Sequence, residues 1–175
     1  MSKLKRALAL SVTGLAIIGG AAVAGTTQAN ASAGNEMAVW NGAHNHCLDN
    51  DTTNAQNLQM WNCTGGAEQH WLEGFNTTTG LFTFRNANTG NCITSPPAGA
   101  GAAQVTLGSC DAADARQQWD VFAADNPTGG PGWYDVWEST TEPGYCLRAP
   151  SVANGTHLET WPCDSNVSYE RFIQQ

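Results

Sequence analysis

The chain carries no lysine beyond Lys5 and no long apolar run beyond residue 24. From residue 34 onward its cations, histidine aside, are Arg85, Arg116, Arg148 and Arg171, set against fifteen acids for a net charge of −11. Such a surface repels phosphate backbones and anionic headgroups, so nucleic acid and membrane are poor partners, with no membrane insertion expected, while neutral ligands meet no such barrier. Without a second apolar run of about 20 residues, nothing after the opening segment reads as a spanning helix. There is no nucleophile elbow, H-E-x-x-H pair, phosphate loop or dinucleotide fingerprint, and no capped helical stripe. His44 and His46 flank Asn45, but the pair lacks the third ligand that zinc sites use, and the reading is of a polar loop with no metal.

What the sequence does hold begins with an address. Lys3, Lys5 and Arg6 precede the apolar stretch Ala7–Ala24, and a small-residue stretch ends in Ala31-Ser32-Ala33. This is the pattern of a secretory signal peptide, with residues 1–33 removed and residues 34–175 exported. Secretion into an extracellular, oxidising compartment makes disulfides the expected state of the six cysteines, which all lie after residue 33.

Those cysteines form a repeat. They fall in three pairs, Cys47 with Cys63, Cys92 with Cys110 and Cys146 with Cys163, separated by 16, 18 and 17 residues. An aromatic follows each second cysteine by eight or nine residues: Trp71 in "QHW", Trp119 in "QQW" and Phe172 in "ERF". Self-similarity at this period is the mark of one supersecondary unit used three times. Three equivalent units imply three local disulfides, 47–63, 92–110 and 146–163, because a crossed pattern breaks the symmetry. Repeats of about 36–80, 81–130 and 131–175 follow, and the Gly- and Pro-rich run Asp125–Trp133 accounts for the longer last period between second cysteines, 110 to 163 against 63 to 110.

Strand signals dominate within each unit. "MAVW", "LFTFR" and "YDVWE" open the repeats with aromatic and β-branched residues, and "NLQMW", "QVTLG" and "HLETW" alternate apolar with polar just before each second cysteine. "QHWLEGF" and "QQWDVFA" read as further strands, with Gly, Asn, Asp, Thr and Pro between them. The fold class is all-β, many short strands in one closed domain.

Three cysteine pairs in phase, the "xLxxWxC" element, and two intact copies of Q-x-W with a third as "ERF" resemble the ricin B-type lectins, and the resemblance spans residues 36–175. It implies a β-trefoil of twelve strands, four per repeat, that binds carbohydrate at up to three shallow sites. It also implies that Trp71, Trp119 and Phe172 are core residues, as befits rings that each bury roughly 150–250 Å². A sugar needs a planar group to grip adjacent hydroxyls and a flat ring for its C–H face. At family-matching positions of the first repeat stand Asp49 as acceptor, Gln59 and Gln69 as amides, and Trp61 as stacking platform. Glu68 departs from the pattern, an acceptor where sugar-binding repeats often carry asparagine.

The matching positions of the second repeat are Thr94, Thr106 and Gly108, which offer neither carboxylate nor ring, and Gln117 alone holds no sugar. In the third they are Arg148, Glu159 and Trp161. Arg148 and Glu159 are expected to pair with each other and leave a degenerate site; the alternative is a weak site in which Arg148 reads a carboxylate-bearing sugar. The sequence thus predicts a secreted carbohydrate-binding protein, not an enzyme, needing no cofactor. Its ligand is expected to be a neutral sugar, galactose-type or a polysaccharide such as xylan. The rival expectation is a protein-interaction module, an inhibitor or toxin-associated subunit, presenting the loop that ends in Trp133.

Overall fold

The computed structural model describes residues 35–39, 46–125, 133–164 and 170–174. Its strands are β1 (Asn35–Val39), β2 (His46–Asn50), β3 (Leu58–Asn62), β4 (His70–Asn76), β5 (Leu81–Asn86), β6 (Asn91–Thr94) and β7 (Thr106–Ser109). They continue with β8 (Trp119–Asp125), β9 (Trp133–Ser139), β10 (Tyr145–Arg148), β11 (Thr156–His157), β12 (Glu159–Pro162) and β13 (Phe172–Gln174).

Six of these strands close on themselves. β1 pairs with β4, β4 with β5, β5 with β8, β8 with β9, β9 with β13, and β13 returns to β1, all antiparallel. Closure leaves the ring without a free edge. Three hairpins, β2–β3, β6–β7 and β10–β12, sit beside the ring and carry the cysteine pairs. A six-stranded barrel with three such hairpins, one per repeat, is a β-trefoil. The disulfides are 47–63, 92–110 and 146–163, with Cα separations of 5.1, 5.0 and 5.0 Å and no free cysteine among the described residues. Each closes a loop of 16 to 18 residues, for which the chain-entropy model gives about 3 kcal/mol.

Trp71, Trp119 and Phe172 are buried in one core cluster with Leu48, Leu58, Ile93, Leu107, Leu147 and Leu158. The two tryptophans also tie the hairpins to the barrel: Trp71 Nε1 donates to the Leu48 carbonyl at 3.0 Å and Trp119 Nε1 to the Ile93 carbonyl at 3.3 Å. Phe172 has no such donor. A ring that the repeat pattern does not mark joins them. Trp137 lies parallel to Phe84 with centroids 3.7 Å apart and also contacts Phe172 and Trp119, at 5.1 and 6.5 Å.

Two expectations need correction. The strands read over "QHW" and "QQW" begin later, because Ala67–Gln69 and Ala115–Gln117 form single 3₁₀ turns. The turn folds each glutamine back onto the cysteine-bearing strand, and Asp114 caps the second turn by accepting from the Arg116 N–H at 3.0 Å. Thirteen strands occur among the described residues where twelve are expected, because the two-residue β11 pairs with β3 of the first repeat and not with β10, whose partner is β12; Leu158 lies between β11 and β12. There the N–H donates to the Leu58 carbonyl at 3.2 Å and the carbonyl accepts from Val105 at 2.9 Å, so Leu158 bonds to the other two repeats instead of its own hairpin. Trp40, His44, Asn45 and residues 126–132 lie outside the described residues, as does the side chain of Trp133, so the expectations placed on them stand apart from the structure.

Candidate functional site

The first hairpin sets its side chains by register. Asp49 on β2 stands opposite Gln59 on β3, and Trp61 stands opposite Cys47, so the disulfide anchors the strand pair at the ring. Alternation along β3 buries Leu58 and Met60 and turns Trp61 out, 39% exposed. The third repeat supports the far side. Asn154 Oδ1 accepts from the Asn62 N–H at 2.8 Å, and Gly155, at φ 82°, lies close enough that a Cβ would sit 4.0 Å from the Trp61 ring.

Asp49 is 5% exposed and clamped by two amides. Gln59 Nε2 donates to its Oδ1 at 2.9 Å and Gln69 Nε2 to its Oδ2 at 3.0 Å. Burial pushes the Asp49 carboxyl above its usual value; the Gln59 and Gln69 donors oppose this, and the charges of Glu68 and Asp51 add to it. Each Asp49 oxygen keeps a free lone pair, since a carboxylate accepts about four bonds. The planar acceptor is therefore fixed in orientation before any ligand arrives.

Gln69 has a different part from the one expected. It is fully buried, its Nε2 is shared between Asp49 and the Asn62 carbonyl (2.9 Å), and its Oε1 accepts from the Thr64 N–H at 2.7 Å. With donors and acceptor committed inside the protein, it positions Asp49 and does not face a ligand. Gln59, 8% exposed, borders the cavity. Glu68 is half-buried at its rim and accepts from the Thr64 hydroxyl at 3.0 Å.

These residues enclose a cavity of 390 Å³ lined by Asp49, Asp51, Thr52, Thr53, Gln59, Trp61, Thr64 and Glu68. The sequence reading missed Asp51, Thr52, Thr53 and Thr64. The signal for them is "DNDTT", a second acid two residues on, followed by turn formers. Asp51 is held by the Thr53 hydroxyl (2.6 Å) and N–H (2.8 Å) and by Asn57 (3.2 Å), which lower its carboxyl to about 2. No histidine, cysteine or acid cluster able to hold a metal ion occurs among the described residues.

The other hairpins are built on the same plan with different chemistry. In the second, Gln117 Nε2 donates to Thr94 Oγ1 at 3.2 Å, as Gln69 does to Asp49, but the stacking position is Gly108 and the Gln59 position is the exposed Thr106. In the third, Arg148 faces Glu159 across β10–β12 and pairs with it, Nε to Oε1 at 3.0 Å. The Arg148 guanidinium also lies 3.9 Å from the centre of the Trp161 ring. Trp161 is 40% exposed, yet a cation covers one of its faces, a favourable stacking that a ligand must displace.

The chain resembles known proteins in both sequence and fold. The family model of the ricin-type beta-trefoil lectin domain matches residues 24–127. No curated protein matches it in sequence. A mosquitocidal holotoxin superimposes with a TM-score of 0.67 at 12% identity over 81% of this chain, which spans 17% of that much longer protein. The designed threefold-symmetric protein ThreeFoil gives 0.64 at 17% identity, covering 80% of this chain and 96% of its own. The Macrolepiota procera ricin B-like lectin, solved in complex with lactose, gives 0.60 at 13% identity, covering 82% and 96%. At these identities the structures speak to the fold, and the family rests on the sequence model. Barrel, hairpins and repeat agree with it, and the chain belongs to the ricin-type β-trefoil lectin domain family.

Proposed function

We propose that this chain is a secreted carbohydrate-binding protein without catalytic activity, and that it takes a neutral sugar unit in the first-repeat cavity. Galactose-type sugars and polysaccharides such as xylan lead the ligand list. In this reading residues 1–33 are a signal peptide and residues 34–175 form the lectin domain; amino-terminal sequencing of the exported protein is then expected to begin at Gly34. Asp49 accepts a pair of hydroxyls, Gln59 adds an amide contact, Trp61 stacks on the apolar face, and Glu68 contacts the sugar at the rim.

One observation carries the reading. Among the described residues, the first hairpin joins a carboxylate clamped by two amides to an exposed, uncovered ring at one cavity. The second has no ring at the matching position, and in the third an arginine covers it. A shallow single site of this kind binds in the millimolar range, about −4 kcal/mol, so useful retention comes from a ligand that repeats. A glycan array with polysaccharide pull-down tests this directly. Retention on a galactose- or xylose-containing glycan, lost in Trp61→Ala with an unchanged thermal melt, is the expected result. Retention undiminished by Trp61→Ala removes the first-repeat cavity from the proposal. Turnover of a chromogenic glycoside would overturn the non-catalytic part.

A further inference from the structure

The three repeats place Gln69, Gln117 and Glu170 at one position, each two residues before the core ring. The two glutamines are wired alike. In the first repeat the Thr64 N–H donates to Gln69 Oε1 at 2.7 Å, and Gln69 Nε2 donates to the Asn62 carbonyl at 2.9 Å. In the second the Asp111 N–H donates to Gln117 Oε1 at 2.8 Å, and Gln117 Nε2 donates to the Ser109 carbonyl at 2.9 Å. Each amide thus bridges the residue after the second cysteine and the residue before it.

Glu170 repeats half of this wiring. The Asp164 N–H, one residue after Cys163, donates to Glu170 Oε2 at 2.7 Å. For the other half, the position-matched acceptor is the carbonyl of Pro162. Pro162 faces Tyr145 as Asn62 faces His46 and Ser109 faces Asn91. The second oxygen, Glu170 Oε1, is buried without a hydrogen-bond partner, in a residue with no exposed surface.

A carboxylate fits this place badly, because it only accepts, and here one of its oxygens takes the place of an amide donor. A neutral carboxylic acid fits it well: its carbonyl oxygen accepts as Oε1 of glutamine does, and its hydroxyl donates as Nε2 does. We infer that Glu170 is a protonated acid standing in for glutamine, with its hydroxyl on the Pro162 carbonyl, and that losing this proton unlatches the Cys163 loop from β13. The latch is independent of sugar binding.

The surroundings favour the neutral form. Burial raises the Glu170 carboxyl to about 7, the Asp164 N–H bond pulls against this, the Asp164 charge adds to it, and Arg148 opposes it. Arg148 is engaged by Glu159 and by the Trp161 ring, and so is already committed. Because the folded-state value lies above the ordinary 4.5, the folded protein holds a proton that the unfolded chain releases between those two values. Stability from this group is therefore fully present below about pH 4.5 and is lost as pH rises through about 7.

Carbon-13 NMR of the glutamate carboxyls in the full-length exported protein, assigned with Glu170→Gln, reads the proton directly. The expected result is one carboxyl titrating near pH 7. In thermal melts at pH 5 and pH 8, the wild-type unfolding constant is expected to rise by roughly two orders of magnitude. Glu170→Gln is expected to remove most of that rise while leaving the pH 5 melt unchanged. A Glu170 carboxyl titrating near 4.5, or a variant with the same pH dependence as the wild type, would overturn the inference; the NMR result on the wild type decides the matter even if the variant folds poorly.

Discussion

At the scale of single residues, the proposed function rests on Asp49 and Trp61, and the two fail in different ways. Asp49→Asn keeps the size of the side chain but replaces one acceptor with a donor opposite Gln59 or Gln69. It is expected to weaken sugar binding at least tenfold, about 1.4 kcal/mol, in calorimetric titration, with only a modest change in melting temperature. Gln69→Ala is expected to lower both, since it leaves the Thr64 N–H and the Asn62 carbonyl without their partner. It also removes a donor from the buried Asp49 carboxylate, and a lost bond of this kind to a charged group costs roughly 1.5–3 kcal/mol, visible in denaturant unfolding. Binding should also follow Asp49 in pH. Burial raises its carboxyl above the usual value, and a protonated acid loses acceptor capacity, so affinity should fall on acidification earlier than it would for an exposed aspartate. That Asp49 and Trp61 lie on one hairpin was legible from the resemblance, which matches them at two residues from a paired cysteine. The buried, fully bonded state of Gln69 was not, since a residue's type does not tell whether its amide bonds inward or outward.

At the scale of elements, the hairpin is the unit that holds the site and the tryptophan Nε1 bond is what joins it to the barrel. Trp119→Phe removes the donor to Ile93 at little cost in volume and is expected to destabilise by about 1 kcal/mol beyond the lost ring area, measured by urea unfolding. The third repeat already carries Phe172 at this position. Trp137→Ala is expected to cost more, about 3–5 kcal/mol, because its ring stacks on Phe84 and touches Trp119 and Phe172. The hairpin strands and disulfides could be read from alternation and cysteine phase. The Trp137–Phe84 stack could not, because those positions differ between repeats: the third has tryptophan, the second phenylalanine. Nor could β11, which pairs with β3 of the first repeat, or the bonds of Leu158 to Leu58 and Val105 in other repeats. Local pattern carries no information about such long-range partners.

At the scale of the whole molecule, the ring β1–β4–β5–β8–β9–β13 draws strands from all three repeats, so no repeat can close a barrel by itself. Unfolding is therefore expected to be a single transition, with fluorescence and circular dichroism melting together. Charge acts at this scale as well. With a net charge of −11 over residues 34–175, binding of a neutral sugar should be nearly insensitive to added salt, because no ion pair is formed or screened. The most direct test of the sugar site sets two rings against each other. Calorimetric titration of wild type, Trp61→Ala and Trp161→Ala with galactose and with xylan oligosaccharides should show binding abolished in Trp61→Ala and kept within twofold in Trp161→Ala. Full binding by Trp61→Ala, or loss in Trp161→Ala alone, would contradict the assignment of the site to the first repeat.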